Sequence, residues 1–284
     1  MPEGKLFNNT ELTFDELYNI SVCAVELGIK KIRITGGEPL CRTGVEDFCR
    51  MISNIEGLEE LTLTTNGSLL ADKAVELKDA GVSRINISLD TLKSERFKEL
   101  TGVDKFEDVI KGIETAKKFS FRQLKINVVL MKNINVDEIS DFVELTKDNN
   151  ISVRFIELMP IGNLNDFNNQ YIPADVVLNK EPELKLIKVS GVAQIYQKPG
   201  YIGTIGLIKP MSQKFCDLCN RIRITCDGKL KTCLHSAEEY DLRGLNGDSL
   251  KSTFVEAVLN KPDSHTLSQT CFSNSLRYMN QIGG

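Results

Sequence analysis

The ten residues KIRITGGEPL, Lys31 to Leu40, decide how this chain is to be read. The β-branched run KIRITG (31–36) reads as a strand. It ends in Gly36-Gly37-Glu38-Pro39, where backbone N–H groups can be approached closely by a ligand and Glu38 adds an acceptor for an ammonium group. Taken alone, the segment is as readily a tight turn. Its neighbours settle the class. Comparable runs recur as LEELTLTTN (58–66), RINISLD (84–90), LKINVVLM (124–131) and VRFIELMP (153–160). Amphipathic helical stretches lie between them near 45–55, 70–80, 94–101, 106–119 and 137–148. This alternation predicts successive right-handed βαβ units and a mostly parallel sheet, open or curled into a barrel.

The front of the chain departs from that scheme. Its first regular element is a helix from Thr13 to Leu27, with Thr13 as N-cap and Glu16 completing a capping box. A parallel layer normally opens with a strand, because a helix needs sheet on which to lay its apolar face. The expectation is a fold whose first strand is missing, with Leu17, Ile20, Val25 and Leu27 left without that sheet.

At 284 residues, 41% apolar and 26% charged, the chain can bury a substantial core. The net charge of −4 gives no general pull toward nucleic acid. No apolar run approaches the ~20 residues that span a bilayer, and MPEGKLFNNT lacks the regions of a signal peptide. The expectation is a cytoplasmic protein with neither membrane nor nucleic-acid partner. Eight cysteines in such a chain argue against a disulfide framework. Cys23 and Cys49 fall in amphipathic helical patterns and read as buried thiols, while Cys41 and Cys271 have no partner spacing. After Pro160 the pattern changes. NLNDFNNQ (163–170) reads as an exposed loop, 171–210 is mixed, and a last helical stretch covers 248–260, so two domains are expected, 1–162 and 163–284.

Ligands of parallel βα folds gather at the carboxyl ends of strands. Those ends carry Thr64, Thr65 and Asn66, then Ser88 and Asp90, then Lys125 and Asn127, then Arg154, Glu157 and Met159. Asn66 and Asp90 read first as caps of turn or helix amides. Lys125 and Arg154 interrupt apolar strands, where an unpaired cation is costly. Each needs an anion, either a side chain such as Glu157 or a bound phosphate.

The second informative block is FCDLCNRIRITCDGKLKTCLH, Phe215 to His235. Asp227-Gly228 marks a hairpin turn between RIRIT and KLKTCL. A two-residue loop sets Cys233 opposite Ile222. A three-residue loop with Gly228 as the bulge residue sets it opposite Arg221, and is preferred because it brings Arg221 and Arg223 beside the thiolates. Cys226 stays at the turn, roughly 13 Å or more from Cys233 at ~3.3 Å per residue, too far to share one centre. Cys216, Cys219 and Cys233 remain, with His235 as a possible fourth ligand. Spacing leaves open both a structural zinc site and a three-cysteine iron–sulfur cluster with one open iron. The adjacent arginines favour the cluster, acting on an anionic substrate.

In combination, RITGGEPL, LTTNG, RINISLD, VRFIELMPIG, FCDLCNRIRIT and the terminal Gly283-Gly284 resemble the GTP 3′,8-cyclase family of radical SAM enzymes, over essentially the whole chain. That resemblance implies a partial (β/α)6 TIM-type radical SAM barrel missing its first strand, with a C-terminal iron–sulfur region. It implies that Gly37, Ser88 and Met159 contact S-adenosylmethionine. Arg33, Thr64, Lys125, Arg221 and Arg223 would hold GTP, with Arg221 and Arg223 counted as catalytic. Cys216, Cys219 and Cys233 would bind a [4Fe–4S] cluster, His235 would be a bystander, and the Gly-Gly tail would insert toward the site. The implied reaction turns GTP into (8S)-3′,8-cyclo-7,8-dihydroguanosine 5′-triphosphate, the first step of molybdenum cofactor biosynthesis. Cyclic pyranopterin monophosphate synthase would be the pathway partner, and a homodimer the assembly. In that family MPEG directly follows a Cys-x3-Cys-x2-Cys segment, which holds a second [4Fe–4S] cluster that cleaves the cofactor. These 284 residues contain no such segment. The chain as it stands is therefore expected to form no 5′-deoxyadenosine.

Overall fold

The computed structural model describes residues 11–119, 121–161, 166–267, 272–275 and 277–283. The MPEG segment, the domain boundary at 162, the first residues of the Asn-rich loop, Cys271 and Gly284 lie outside them. Five βα steps come first. Helix α1 (Phe14–Glu26) precedes strand β1 (Lys31–Ile34), then α2 (Val45–Ser53), β2 (Glu60–Thr65), α3 (Leu70–Asp79) and β3 (Arg84–Ser88). Helices α4 (Ser94–Thr101) and α5 (Phe106–Lys118) lead to β4 (Gln123–Leu130), and α6 (Ile139–Glu144) leads to β5 (Ile151–Glu157). After the short helices α7 (Phe167–Gln170) and α8 (Val176–Lys180) come β6 (Lys185–Ser190), β7 (Ala193–Gln197) and β8 (Thr204–Ile208). Strands β9 (Arg223–Ile224), β10 (Lys229–Lys231) and β11 (Tyr240–Asp241), then helices α9 (Gly247–Leu259) and α10 (Met279–Ile282), complete the chain.

The main sheet runs β1-β2-β3-β4-β5-β8-β7-β6. Strands β1 to β5 and β8 are parallel, while β7 and β6 close the far edge antiparallel. The parallel succession with helical crossovers is the mostly parallel sheet that the alternation predicts, and it is consistent with the partial barrel that the resemblance implies. The region 171–210 proves more regular than its Gly and Pro punctuation suggests, because β8 adds directly to β5 and carries the sheet across residue 162.

Strand alternation separates two faces. Leu61, Leu63, Ile85, Ile87, Leu124, Ile126, Val153, Phe155, Ile205 and Leu207 join the helices in one apolar core. The opposite, inner face is polar along its length. Its rungs read Arg33–Thr62–Arg84, then Thr64–Asn86–Lys125–Ser152–Thr204, then Ser88–Asn127–Arg154–Gly206. A face of buried threonines, asparagines and cations is no packing core. It is built to hold something polar.

Helix α1 begins as its sequence predicts. Thr13 Oγ1 accepts from Glu16 N at 3.2 Å while Glu16 returns the bond to Thr13 N at 2.7 Å. Most of its apolar face is covered, which corrects the expectation in part, while Leu27 stays exposed. Ile20, Cys23 and Ala24 pack on Leu230, Leu242, Leu250 and Phe254, so the cover comes from α9 and the β9–β10 hairpin. Phe14 stacks on Phe48 of α2 at 4.6 Å, and Leu12 N donates to Cys226 O at 2.7 Å. Helix α1, early in the chain, is thus packed on α9 and the β9–β10 hairpin, late in it. Cys23 and Cys49 are buried thiols, and burial pushes Cys49 up to about 12. Among the described residues no helix is long and apolar enough to cross a membrane.

Candidate active site

The loop after β1 is organised by Glu38. Its carboxylate accepts from Leu40 N at 3.0 Å, Thr65 Oγ1 at 2.7 Å and Asn66 N at 2.6 Å. The predicted ammonium acceptor therefore serves first to tie the Gly36-Gly37 loop to the end of β2. Burial raises its pKa, against the three hydrogen bonds that lower it. Gly36 has φ +154°, and nothing stands within 4 Å of a Cβ built on Gly37, so the loop presents open backbone at the strand end. Ser88 is exposed at the last position of β3, and Met159 is half-buried two residues past β5. Asn66 does the turn capping read from sequence, whereas Asp90 holds a strand amide of β4 instead. Asn66 Oδ1 accepts from Ser68 N at 2.9 Å, and Asp90 accepts from Val129 N at 2.8 Å.

The inner face gathers cations from distant parts of the chain. Lys125 is 5% exposed and is pulled down to about 7, first by burial and then by Arg154, Arg84 and Arg33. Arg154 falls to about 10 through burial and then Arg33, Arg221 and Arg84. Arg33 opens toward solvent, yet the protein around it and then Arg221 draw it to about 10. Arg223 is drawn to about 10 by burial, then by Arg221 and Arg33, with Cys219 and Cys233 pulling the other way. Glu60, paired with Arg84 at 2.9 Å, is the carboxylate that offsets them. Arg84 Nε and Arg154 Nε are buried without a hydrogen-bond partner. Unpaired buried donors of one sign, set together, are complementary to a polyanion.

Glu157 is not the partner of Arg154, which removes one of the two anions considered from sequence. Its carboxylate faces the other way, accepting from Ala174 N at 3.0 Å, Met211 N at 3.0 Å and Ser212 N at 2.9 Å. Arg154 instead finds room over Gly206, where a Cβ would stand 3.1 Å from its Cγ. Thr64, buried in the lattice of the same face, accepts from Asn86 Nδ2 at 3.1 Å.

The hairpin adopts the longer loop. Leu230 pairs Ile224 and Lys231 pairs Arg223. Gly228 is left-handed at φ +84° and donates to Thr225 O at 3.0 Å. That register is the one preferred from sequence, but its last paired rung is Lys231–Arg223, and the chain bends at Thr232 and Cys233 beyond it. Cys216 opens a one-turn 3-10 helix, and Cys219 N closes on Cys216 O at 2.9 Å. All three cysteines are half-buried. Lys261 buttresses the turn, donating to Cys219 O at 2.7 Å and Arg221 O at 2.9 Å, with its Nζ 3.9 Å from Cys219 Sγ. Cys226 belongs to a different setting. Burial and then Asp227 raise its thiol.

The donor set fits a thiolate-held cluster with a cation at its edge. Among the described residues no three His, Cys, Asp or Glu side chains are gathered tightly enough to hold a single ion. His235 packs edge-on to His265 at 4.8 Å, its Nδ1 buried without a partner. Burial, then His265, Arg223 and Lys231, push it to about 3, which keeps the ring neutral.

Sequence reasoning missed Arg84, Gly206 and Lys261, whereas the tail, expected to insert toward the site, has Gly283 O accepting from Arg223 Nη1 at 3.2 Å. Strict alternation along RINIS does point Arg84 the same way as Asn86 and Ser88. Nothing local marks Lys261.

Comparison with known proteins agrees with this geometry. The radical SAM superfamily profile matches residues 3–146, and the Molybdenum Cofactor Synthesis C profile matches 151–267. The chain is 47% identical over 280 residues to the GTP 3′,8-cyclase of Peptoclostridium acidaminophilum, covering 96% of this chain and 86% of the relative. It is 42% identical over 299 residues to the GTP 3′,8-cyclase of Limosilactobacillus fermentum, covering 99% and 90%. Among solved structures, Streptococcus suis SuiB bound to S-adenosylmethionine aligns with a TM-score of 0.55 at 17% identity. That alignment covers 87% of this chain and 61% of SuiB, and it supports the fold alone. Sequence kinship, profile order and the parallel sheet agree: the chain belongs to the GTP 3′,8-cyclase family of radical SAM enzymes.

Proposed function

We propose that the inner face binds GTP and that Cys216, Cys219 and Cys233 hold a [4Fe–4S] cluster one protein ligand short, so that its open iron meets the base. One observation carries this reading. Arg33, Lys125, Arg154, Arg221 and Arg223 form a single electrostatic neighbourhood, and Cys219 and Cys233 lie within reach of its last member. The triphosphate neutralises the cations, with Thr64 and Lys125 on one rung and Arg221 and Arg223 on the hairpin. The hairpin arginines fix the distance between the phosphates and the cysteines, which orients the nucleotide. Gly37, Ser88 and Met159 position S-adenosylmethionine at the strand ends, the glycine by open backbone. When bound and reduced, that cofactor supplies the organic radical with which GTP cyclisation begins. The buried rungs exclude water from the nucleotide's sugar, and Glu38 keeps the Gly36-Gly37 loop in place for the cofactor.

The product would be (8S)-3′,8-cyclo-7,8-dihydroguanosine 5′-triphosphate, handed to cyclic pyranopterin monophosphate synthase, with the enzyme acting as a homodimer and in the cytoplasm. The second cluster needs a Cys-x3-Cys-x2-Cys segment that these 284 residues do not contain. A second reading follows from that fact. The chain by itself binds GTP and one cluster but does not cleave S-adenosylmethionine. Anaerobic reconstitution with iron and sulfide tests both readings. The expected result is about four iron atoms per chain, saturable GTP binding, and no 5′-deoxyadenosine. Zinc with indifference to GTP would overturn the first reading. 5′-Deoxyadenosine made by the chain alone would overturn the second.

A further inference from the structure

The last described segment, 277–283, is held by an ionic clamp that lies outside the cation cluster. Arg277 makes two forks at once. Nη1 and Nη2 donate to Asp227 Oδ1 and Oδ2 at 2.9 and 2.8 Å, and Nε and Nη2 donate to Glu239 Oε1 and Oε2 at 2.6 and 2.7 Å. Lys231, with a fully buried side chain, adds a bond to Glu239 Oε1 at 3.1 Å and another to Ser236 O at 2.7 Å. Arg277, Asp227 and Glu239 keep only 19%, 28% and 20% of their side-chain surface exposed. Paired bidentate bonds in a partly desolvated setting are the strong kind of ion pair, unlike a surface contact.

The clamp's place in the fold suggests its purpose. Asp227 is in the loop of the same hairpin whose strand carries Arg223. From Arg277 the chain makes one short helix, α10, started by Tyr278 N donating to Gln281 Oε1 at 2.9 Å. It buries Ile282 and brings Gly283 O to Arg223 Nη1. There Gly283 lies so close to Thr35 that a Cβ would come within 2.4 Å of Thr35 Cγ2. The tail is thus fastened to one hairpin at two points, at the loop by Arg277 and at β9 by Gly283. Between these points it has few conformations that still deliver Gly283 to the cations.

We propose that Arg277 is a positioning residue: its double fork to Asp227 and Glu239 seats the C-terminal tail against Arg223 and Thr35, at the wall of the nucleotide site. The role given to that wall rests on the GTP reading above, but the clamp itself does not. Without Arg277, Asp227 and Glu239 lose the cation between them, and the described tail is left with the Arg223–Gly283 bond and the burial of Ile282.

Hydrogen–deuterium exchange on the full chain, without nucleotide, tests the proposal, followed by GTP titration of the same samples. In Arg277→Ala the amides of 279–283 should exchange faster by on the order of tenfold or more, the change that loss of one charge-assisted hydrogen bond produces. Arg277→Lys, which keeps the charge but not the fork, should fall between. The amides of β2 to β5 should keep wild-type protection. Asp227→Asn with Glu239→Gln should reproduce the tail effect from the other side. Wild-type tail protection in Arg277→Ala overturns the proposal. So does loss of protection spread evenly through the main sheet, because Arg277 would then support the whole fold. A freed tail in a protein that never binds GTP leaves the clamp standing and removes the nucleotide reading instead.

Discussion

Lys125 should take up a proton when the site binds GTP. In the unliganded protein its ammonium titrates at about 7 rather than 10.5, because it is buried and flanked by Arg154, Arg84 and Arg33. At pH 8 roughly one molecule in ten therefore carries the charge. A triphosphate delivered onto the same rung neutralises those arginines and restores the driving force for protonation. A bound pKa of about 9 or higher leaves most molecules charged, an uptake of ~0.8 proton per GTP at pH 8. Affinity should fall as pH rises above 7, by up to about tenfold per pH unit, or ~1.4 kcal/mol. Stability of the unliganded protein has the opposite sign. Between 7 and 10.5 the unfolded chain binds the extra proton, so this group makes the fold more stable as pH rises through that window. Calorimetric titration of GTP at pH 8, in buffers of different ionisation enthalpy, counts the protons directly. Lys125→Met supplies the baseline, because GTP titrates too. Equal uptake by wild type and Lys125→Met would refute the argument, as would wild-type affinity that stays flat from pH 7 to 9.

Gly206→Val should weaken GTP binding by on the order of tenfold while leaving β8 paired, since its side chain takes the space now used by Arg154; isothermal titration and circular dichroism check the two halves. Cys216→Ser, Cys219→Ser and Cys233→Ser should each lose iron on reconstitution, whereas Cys226→Ser should retain it, as iron assay and absorbance will show. Lys261→Met removes two carbonyl contacts and the ammonium nearest Cys219. The cluster potential should fall, because a nearby cation favours the reduced, more negative cluster. Redox titration with an unchanged potential would contradict that reasoning.

Much of the architecture was legible along the chain because it is written in local periods. The runs predicted as strands appear as β1 to β5, with ends shifted by up to three residues. The Thr13 capping box forms as its residue types require. The loop of the β9–β10 hairpin follows from Gly228, which alone among its neighbours takes the left-handed conformation without strain. The misplaced expectations concern partners. Glu157 is near Arg154 in sequence but projects from the opposite side of β5, as two residues an odd number apart on a strand must. Helix α1 lacks a preceding strand in sequence, yet α9 and the hairpin cover much of its apolar face from late in the chain.

The sequence by itself determined the parallel βα order, the polar alternation that turns Lys125 and Arg154 inward, and the three-residue loop that sets Lys231 against Arg223. Each depends on a repeat of two or 3.6 residues, or on one turn, and so is carried by neighbours in the chain. Only the tertiary structure decided that Arg33 and Arg221 share one neighbourhood, that Lys261 holds the Cys219 turn, and that Arg277 closes on Asp227 and Glu239. Those contacts join segments tens to nearly two hundred residues apart. Their strength comes from burial and charge at the meeting point, quantities that exist only once the chain has folded back on itself.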